Sequence, residues 1–325
     1  MTTIKYLQDK IKLESVSLNI FKSFYPENQD ILIKIHFGEP HNTNAFTPED
    51  ISPIISALRS HGLRPTLIDT PVAYDSLRHT VAGYKQVVHE KGFDKIAPCI
   101  ISDRFIEIKT KDFTAKVCKE LVEAQNLLVI SHFKGHACCG FGGAIKNFGM
   151  GGLMIESKQT IHDGSKPVFH PETCTGCGTC ARLCPNHAII MVDNHPVVNL
   201  EACLGCSLCE LNCPTKSLVP TTAIFDDLLA QGAAACINNL PKKSYYLTFV
   251  NKIARECDCW DKTWDILAPD KGFLFSDNPI AIDQACLDLI GADVFQKAHH
   301  RDPHSQLKYA QEYTKFTTEY KLENL

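Results

Sequence analysis

The sequence predicts an α/β fold, a mostly parallel sheet with helices on its faces, into which a small bacterial two-cluster ferredoxin-like module is inserted. Three observations predict it. Short apolar runs alternate with amphipathic helical stretches through the first half, the same alternation resumes toward the C-terminus, and a repeat of eight closely spaced cysteines lies between the two. The expected boundaries are 1–165 and 221–325 for the two parts of one α/β domain and 166–220 for the module. A separate C-terminal domain of about 100 residues fits the periodicity nearly as well.

Taken in order, residues 31–37 (ILIKIHF) read as a buried strand, followed by the polar loop GEPHNTNAF. Thr47 ahead of Pro48, Glu49 and Asp50 supplies an N-cap, an N1 proline and an acidic first turn, so a helix is expected to about Gly62. Residues 67–70 read as the next strand and 79–91 as another helix. Residues 114–125 (TAKVCKELVEAQ) read as an amphipathic helix leading into an apolar strand at 127–131. Beyond the cysteines, FDDLLAQGAAACI reads as a helix, KSYYLTFVNKI as a strand, NPIAIDQACLDLIGA as a proline-opened helix and SQLKYAQEYTKFTTEY as a surface helix of mixed charge.

Composition narrows the function classes. Over 325 residues, 44% hydrophobic and 22% charged side chains are enough for a folded core. A net charge of −4 with no Lys/Arg cluster argues against nucleic acid as a partner. The opening MTTIKYLQDK lacks the pattern of a signal peptide, and no apolar run reaches the roughly 18 residues of a membrane span, so a cytoplasmic protein is expected. In that compartment the 16 cysteines are expected to be reduced and to serve as metal or cluster ligands, not disulfides.

Cys174, Cys177, Cys180 and Cys184 precede Pro185, and Cys203, Cys206, Cys209 and Cys213 precede Pro214, giving C-x2-C-x2-C-x3-C-P twice at an offset of 29 residues. In this pattern three close thiolates wrap one cubane and the fourth crosses to the other. The expectation is two 4Fe-4S clusters, one on Cys174, Cys177, Cys180 and Cys213, the other on Cys203, Cys206, Cys209 and Cys184. Thiolates suit iron because it prefers soft anionic sulfur, and the prolines end each short helix. Zinc knuckles also use C-x2-C, but two matched runs of four with trailing prolines fit the cluster pattern better.

A second constellation occupies 131–152, SHFKGHACCGFGGAIKNFGMGG, where seven glycines follow an apolar strand and leave backbone N–H groups free to hold an anion. His132, Lys134, His136, Lys146 and Asn147 are the candidate catalytic residues in it. Four-residue spacing puts His132 and His136 on one face if the segment is helical. Cys257 and Cys259 are candidates for a further metal; in an extended segment they face one side and Asp258 the other. The loop and the 257–259 segment are expected to meet at one cleft.

FKGH, GFGGAIKNFGMG, the double cysteine motif, CDC at 257–259, SDNPIAIDQACLDL at 276–289 and HFGEPHNTNAFTP at 36–48 together resemble an uncharacterised family of ferredoxin-bearing iron-sulfur proteins known by a domain-of-unknown-function label. That family is distantly similar to the nickel-pincer lactate racemases, which implies an α/β fold with a site at a domain cleft and no particular reaction. His132, Lys134, His136, Lys146, Asn147, Cys257, Asp258 and Cys259 fall on matching positions, whereas Cys138 and Cys139 depart from the family's loop. The expected function is an iron-sulfur oxidoreductase that relays electrons from its two clusters to a second site in the α/β domain. The alternatives are a carrier or docking protein without its own substrate, or a metal-dependent racemase-like enzyme. The partners expected are a redox protein such as a ferredoxin or reductase and a small-molecule substrate, with a further metal, cluster or flavin at the second site.

Overall fold

A computed structural model describes all 325 residues. Its centre is an eight-stranded sheet of β1 (Thr2–Leu7), β2 (Asp30–Lys34), β3 (Arg64–Asp69), β4 (Cys99–Ile101), β5 (Asn126–His132), β6 (Lys243–Val250), β7 (Gly272–Ser276) and β8 (Tyr320–Asn324). The strands lie in the order β8-β1-β7-β6-β5-β2-β3-β4. All neighbouring pairs are parallel except those made by β7, which runs against both β1 and β6. The molecule is therefore a mixed α/β fold on a large, mostly parallel sheet, and β5 and β6 join the N-terminal and C-terminal halves along seven paired residues, from Lys243 with Asn126 to Phe249 with His132.

Period-two alternation places the core. Along β5, Leu127 and Val129 enter one apolar layer and Leu128 and Ile130 the other, so every residue of the strand is buried. Helices Leu13–Phe24, Pro48–Ser60 and Val81–Glu90 cover one face. The second helix starts where Thr47 and Asp50 form a reciprocal capping box around Pro48, an arrangement that contributes on the order of 1 kcal/mol. On the other face lies helix Phe225–Ile237, buried along its whole length and packed on the short helix Ala144–Gly149. The two helices approach so closely that a Cβ on Gly149 would come 2.5 Å from the Leu229 carbonyl oxygen.

Two expectations fail. Residues 114–125 are not a helix: Thr114–Cys118 pairs antiparallel with Phe105–Lys109, and only Lys119–Glu123 is helical. Ala115 and Val117 are buried while Thr114 is exposed and Lys116 partly so, a period of two that the helical reading overlooked. The last helix stops at Tyr313, buries Gln306, Leu307 and Ala310, and gives way to edge strand β8. It is therefore shorter than expected, with one face packed and Lys308 and Glu312 exposed on the other.

The cysteine segment leaves and rejoins this frame through an antiparallel pair, Pro167–Phe169 with Leu218–Pro220. Its 29-residue repeat is structural as well as sequential. Gly176, Gly178 and His187 have positive φ, and so do Gly205, Ser207 and Lys216 at the same offsets. The Ala188 N–H donates to Cys184 Sγ at 3.2 Å, and the Ser217 N–H donates to Cys213 Sγ at 3.3 Å. Pairing of Ile189–Val192 with His195–Val198 repeats the entry and exit pair.

Candidate functional site

Parallel strands leave their C-terminal ends free to carry side chains, and here β2, β3 and β5 end around a cavity of about 590 Å³. His36 and Glu39 follow β2, Asp69 and Thr70 close β3, and Ser131 and His132 close β5. The glycine-rich loop supplies Lys134, His136, Cys138, Lys146 and Asn147. The turn after β6 brings Cys257, Asp258, Cys259 and Trp260. The loop and the 257–259 segment thus meet at one cleft.

The chain reaches these positions in extended form. His132 ends β5, and Lys134–His136 pairs antiparallel with Gly140–Gly142, so His132, Lys134 and His136 share a side through alternation and not through a helical turn. Asp258 lies in a turn and, contrary to the extended reading, lines the cavity with its two cysteine neighbours. It is fully buried, with the carboxylate 2.9 Å from His132 Nδ1 and 3.0 Å from Lys134 Nζ. Burial alone would raise its carboxyl, but the positive charges of His132 and Lys134 outweigh that and hold it well below the usual range. His132 Nε2 meets the Asn251 carbonyl at 2.7 Å, so both ring nitrogens face acceptors. His132 therefore positions Asp258 and offers no free lone pair to a metal.

Asn147 is likewise engaged. Its side-chain oxygen accepts from Lys34 Nζ at 2.8 Å and its amide donates to Ile130 O and Ser131 Oγ, each at 3.1 Å. Lys34 pairs with Asp69 at 2.9 Å. By contrast, the Lys146 amine makes no hydrogen bond or ion pair within the protein, and burial lowers its pKa. Lys158 donates to Thr70 Oγ1 at 2.9 Å and to the Pro71 carbonyl but meets no carboxylate, and burial pushes it down to about 7. The cavity therefore holds two amines without counter-charges, which suits an anionic ligand. Glu39 is not a free acid: Arg78 holds it with Nε at 2.8 Å and Nη2 at 2.6 Å, and Tyr74 and Ser76 donate to it.

Cys257 and Cys259 are brought together with their sulfurs in contact. The turn folds two thiols separated by one residue onto each other. Their donor atoms lie within 4.8 Å of one another and of His136, a set with metal-ligating chemistry. Cys138 and Cys139 are buried, and burial raises both thiols, Cys139 to about 12. Cys138 lines the cavity, and Cys139 contacts His136 Nδ1 at 3.3 Å.

The eight repeat cysteines fall into two hollows. Cys174, Cys177, Cys180 and Cys213 line one, and Cys184, Cys203, Cys206 and Cys209 line the other. In the first, Cys177 is exposed; in the second, Cys206 and Cys209 are buried. Burial would raise Cys213, but N–H groups of Leu218, Thr215 and Ser217 and the Thr215 hydroxyl bring it down to about 7. Leu204 and Asn186 line both the second hollow and the large cavity.

The family model described as a domain of unknown function, DUF362, matches residues 31–288. The chain belongs to this family. Among solved structures, a Thermotoga maritima protein determined as a structural genomics target is similar over 94% of this chain, at 10% identity and a TM-score of 0.46. The lactate racemase apoprotein from Thermoanaerobacterium thermosaccharolyticum is similar over 77%, at 12% identity and a TM-score of 0.36. The chain spans 59% and 50% of those two proteins. No curated protein matches. As a DUF362 member the chain carries its site on residues that local patterns do not single out. His36, Glu39, Asp69 and Thr70 were missed because each is one polar residue at or just past a strand end, and their common signal is a place at the end of an apolar parallel strand; Lys158 was missed because it lies within helix Ile155–Gly164 with no local signal. No helix is long and apolar enough to cross a membrane.

Proposed function

We propose that this protein is an iron-sulfur oxidoreductase whose cysteine segment holds two 4Fe-4S clusters and which acts on a small anionic molecule in the large cavity. The observation that carries the reading is the sorting of eight cysteines into two sets of four around separate hollows, the second sharing walls with the cavity. Four thiols per centre is the donor number and softness a cubane takes, and the N–H groups aimed at Cys184 and Cys213 favour the thiolate form. When bound, the clusters supply one-electron steps. The protein's own residues do the rest: Lys146 and Lys158 attract the anion, Asp258 is fixed by His132 and Lys134, and the buried walls restrict water.

The difference in exposure gives the segment a direction. The redox partner meets the solvent-facing hollow, where Cys177 is exposed. The buried hollow lies on the cavity side. Anaerobic purification with iron and sulfide analysis tests the reading: about eight of each per chain are expected. Zinc in place of iron, or a single centre, would overturn it.

A further inference from the structure

His136, Cys257 and Cys259 bring a ring nitrogen and two sulfurs within 4.8 Å of one another in the cavity wall. Contacts from three parts of the chain hold this set in place. Gly135 lies so close to the segment leading into the turn that a Cβ on it would come 2.1 Å from the Arg255 carbonyl oxygen, so glycine is what lets the neighbouring imidazole reach 257–259. The turn is pinned by the Glu39 N–H, which donates to the Asp258 carbonyl at 3.0 Å, and by the Asn42 amide, which donates to the Trp260 carbonyl at 3.0 Å. The Cys259 N–H donates to Cys257 Sγ at 3.4 Å, a contact that favours the thiolate. Cys139 Sγ donates to the Phe141 carbonyl at 3.0 Å, which leaves its lone pairs to accept from His136 Nδ1 at 3.3 Å and frees Nε2 to ligate. The Cys138 N–H, 3.1 Å from the same Nδ1, favours the other tautomer, and an ion at Nε2 selects the first.

We infer that His136, Cys257 and Cys259 form a mononuclear site for a thiophilic divalent cation, zinc by its donor set, separate from the eight-cysteine segment and independent of its clusters. Two thiolates and one imidazole are the mixture of soft and borderline donors that zinc takes. A tetrahedral zinc, with bonds of about 2.3 Å to sulfur and about 2.0–2.1 Å to nitrogen, keeps such donors about 3.5–3.8 Å apart, inside the observed limit of 4.8 Å. A cubane places each ligand beyond a separate iron corner and spreads the donors farther. Three protein donors leave the fourth tetrahedral position open. All three line the cavity, so that position belongs to water or to an oxygen of the anion that Lys146 attracts.

The test uses the full chain, purified anaerobically under a non-thiol reductant, dialysed against zinc and then against metal-free buffer, and analysed for zinc, iron and sulfide. Wild type is expected to keep about one zinc per chain, and C257S/C259S and H136A to lose it with iron, sulfide and the far-ultraviolet dichroism spectrum unchanged. Zinc-edge X-ray absorption needs no variant: wild type should show two sulfurs at about 2.3 Å and one imidazole nitrogen at about 2.0–2.1 Å. Zinc retained in full by C257S/C259S, or a shell of four sulfurs, would put the metal elsewhere and overturn the inference. Normal iron with no zinc retained by wild type would overturn this site alone. Absent iron with one zinc lost in C257S/C259S would fail the cluster reading while the zinc site stands.

Discussion

Asp258 and Lys146 show how differently a fully buried and a half-buried charge in one cavity behave. Asp258 pairs with Lys134 and hydrogen-bonds His132, so Asp258→Asn leaves the buried Lys134 cation without its partner and should cost about 3–5 kcal/mol, read as a lower denaturation midpoint. Because its folded pKa lies below its unfolded one, its contribution is present above the unfolded value and is lost as pH falls through the folded value. The gap between wild type and variant should therefore narrow in acid. Lys146 has no partner, so Lys146→Ala should leave stability unchanged or slightly raised while weakening small-anion binding, measured by calorimetry with phosphate and a dicarboxylate. Lys158, held near 7, loses its proton as pH rises through that value, so anion affinity should decline over the same interval. The sequence revealed the loop members of this site, since His132, Lys134, His136 and Lys146 cluster among glycines. It did not reveal which are free, because Asn251, Asp258 and Lys34, the groups that occupy His132 and Asn147, come from elsewhere in the chain.

At the level of elements, the glycine-rich loop has two purposes that the sequence does not separate. Gly142 lies at the cavity, while Gly149 lets helix Ala144–Gly149 sit against helix Phe225–Ile237. Gly149→Ala should cost roughly 1–3 kcal/mol through forced separation of the helices, with anion binding altered only as far as Lys146 shifts. In the cysteine segment, the proposed clusters predict that Cys184→Ser disturbs the one assigned to Cys203, Cys206 and Cys209 more than its neighbour, resolved by electron paramagnetic resonance. A change confined to the centre of Cys174, Cys177 and Cys180 would contradict the sorting. Helices opened by Thr47-Pro48 and Asn278-Pro279 were legible because the caps are local chemistry. The hairpin ending at Cys118 was not, because its pattern is short and its pairing is with residues some ten positions away.

For the whole molecule, the decisive fact is that β5 and β6 pair across the cysteine segment, which enters and leaves through adjacent strands. Replacing 166–220 by a short Gly/Ser linker should leave a single cooperative thermal transition with a native-like far-ultraviolet dichroism spectrum, whereas two separate transitions would show the flanks to be independent. The parallel sheet was legible from alternating apolar runs. The reversed strand β7 was not, because GFLFS is buried on both faces and carries no directional signal. The sheet also ends deliberately. One rim is the three-residue β4; the other is β8, nearly all exposed, with Lys321 and Glu323 set two residues apart. An incoming strand would have to desolvate both charges, so this rim resists templated polymerisation, and K321V/E323V should turn a clear solution into one that scatters light on standing.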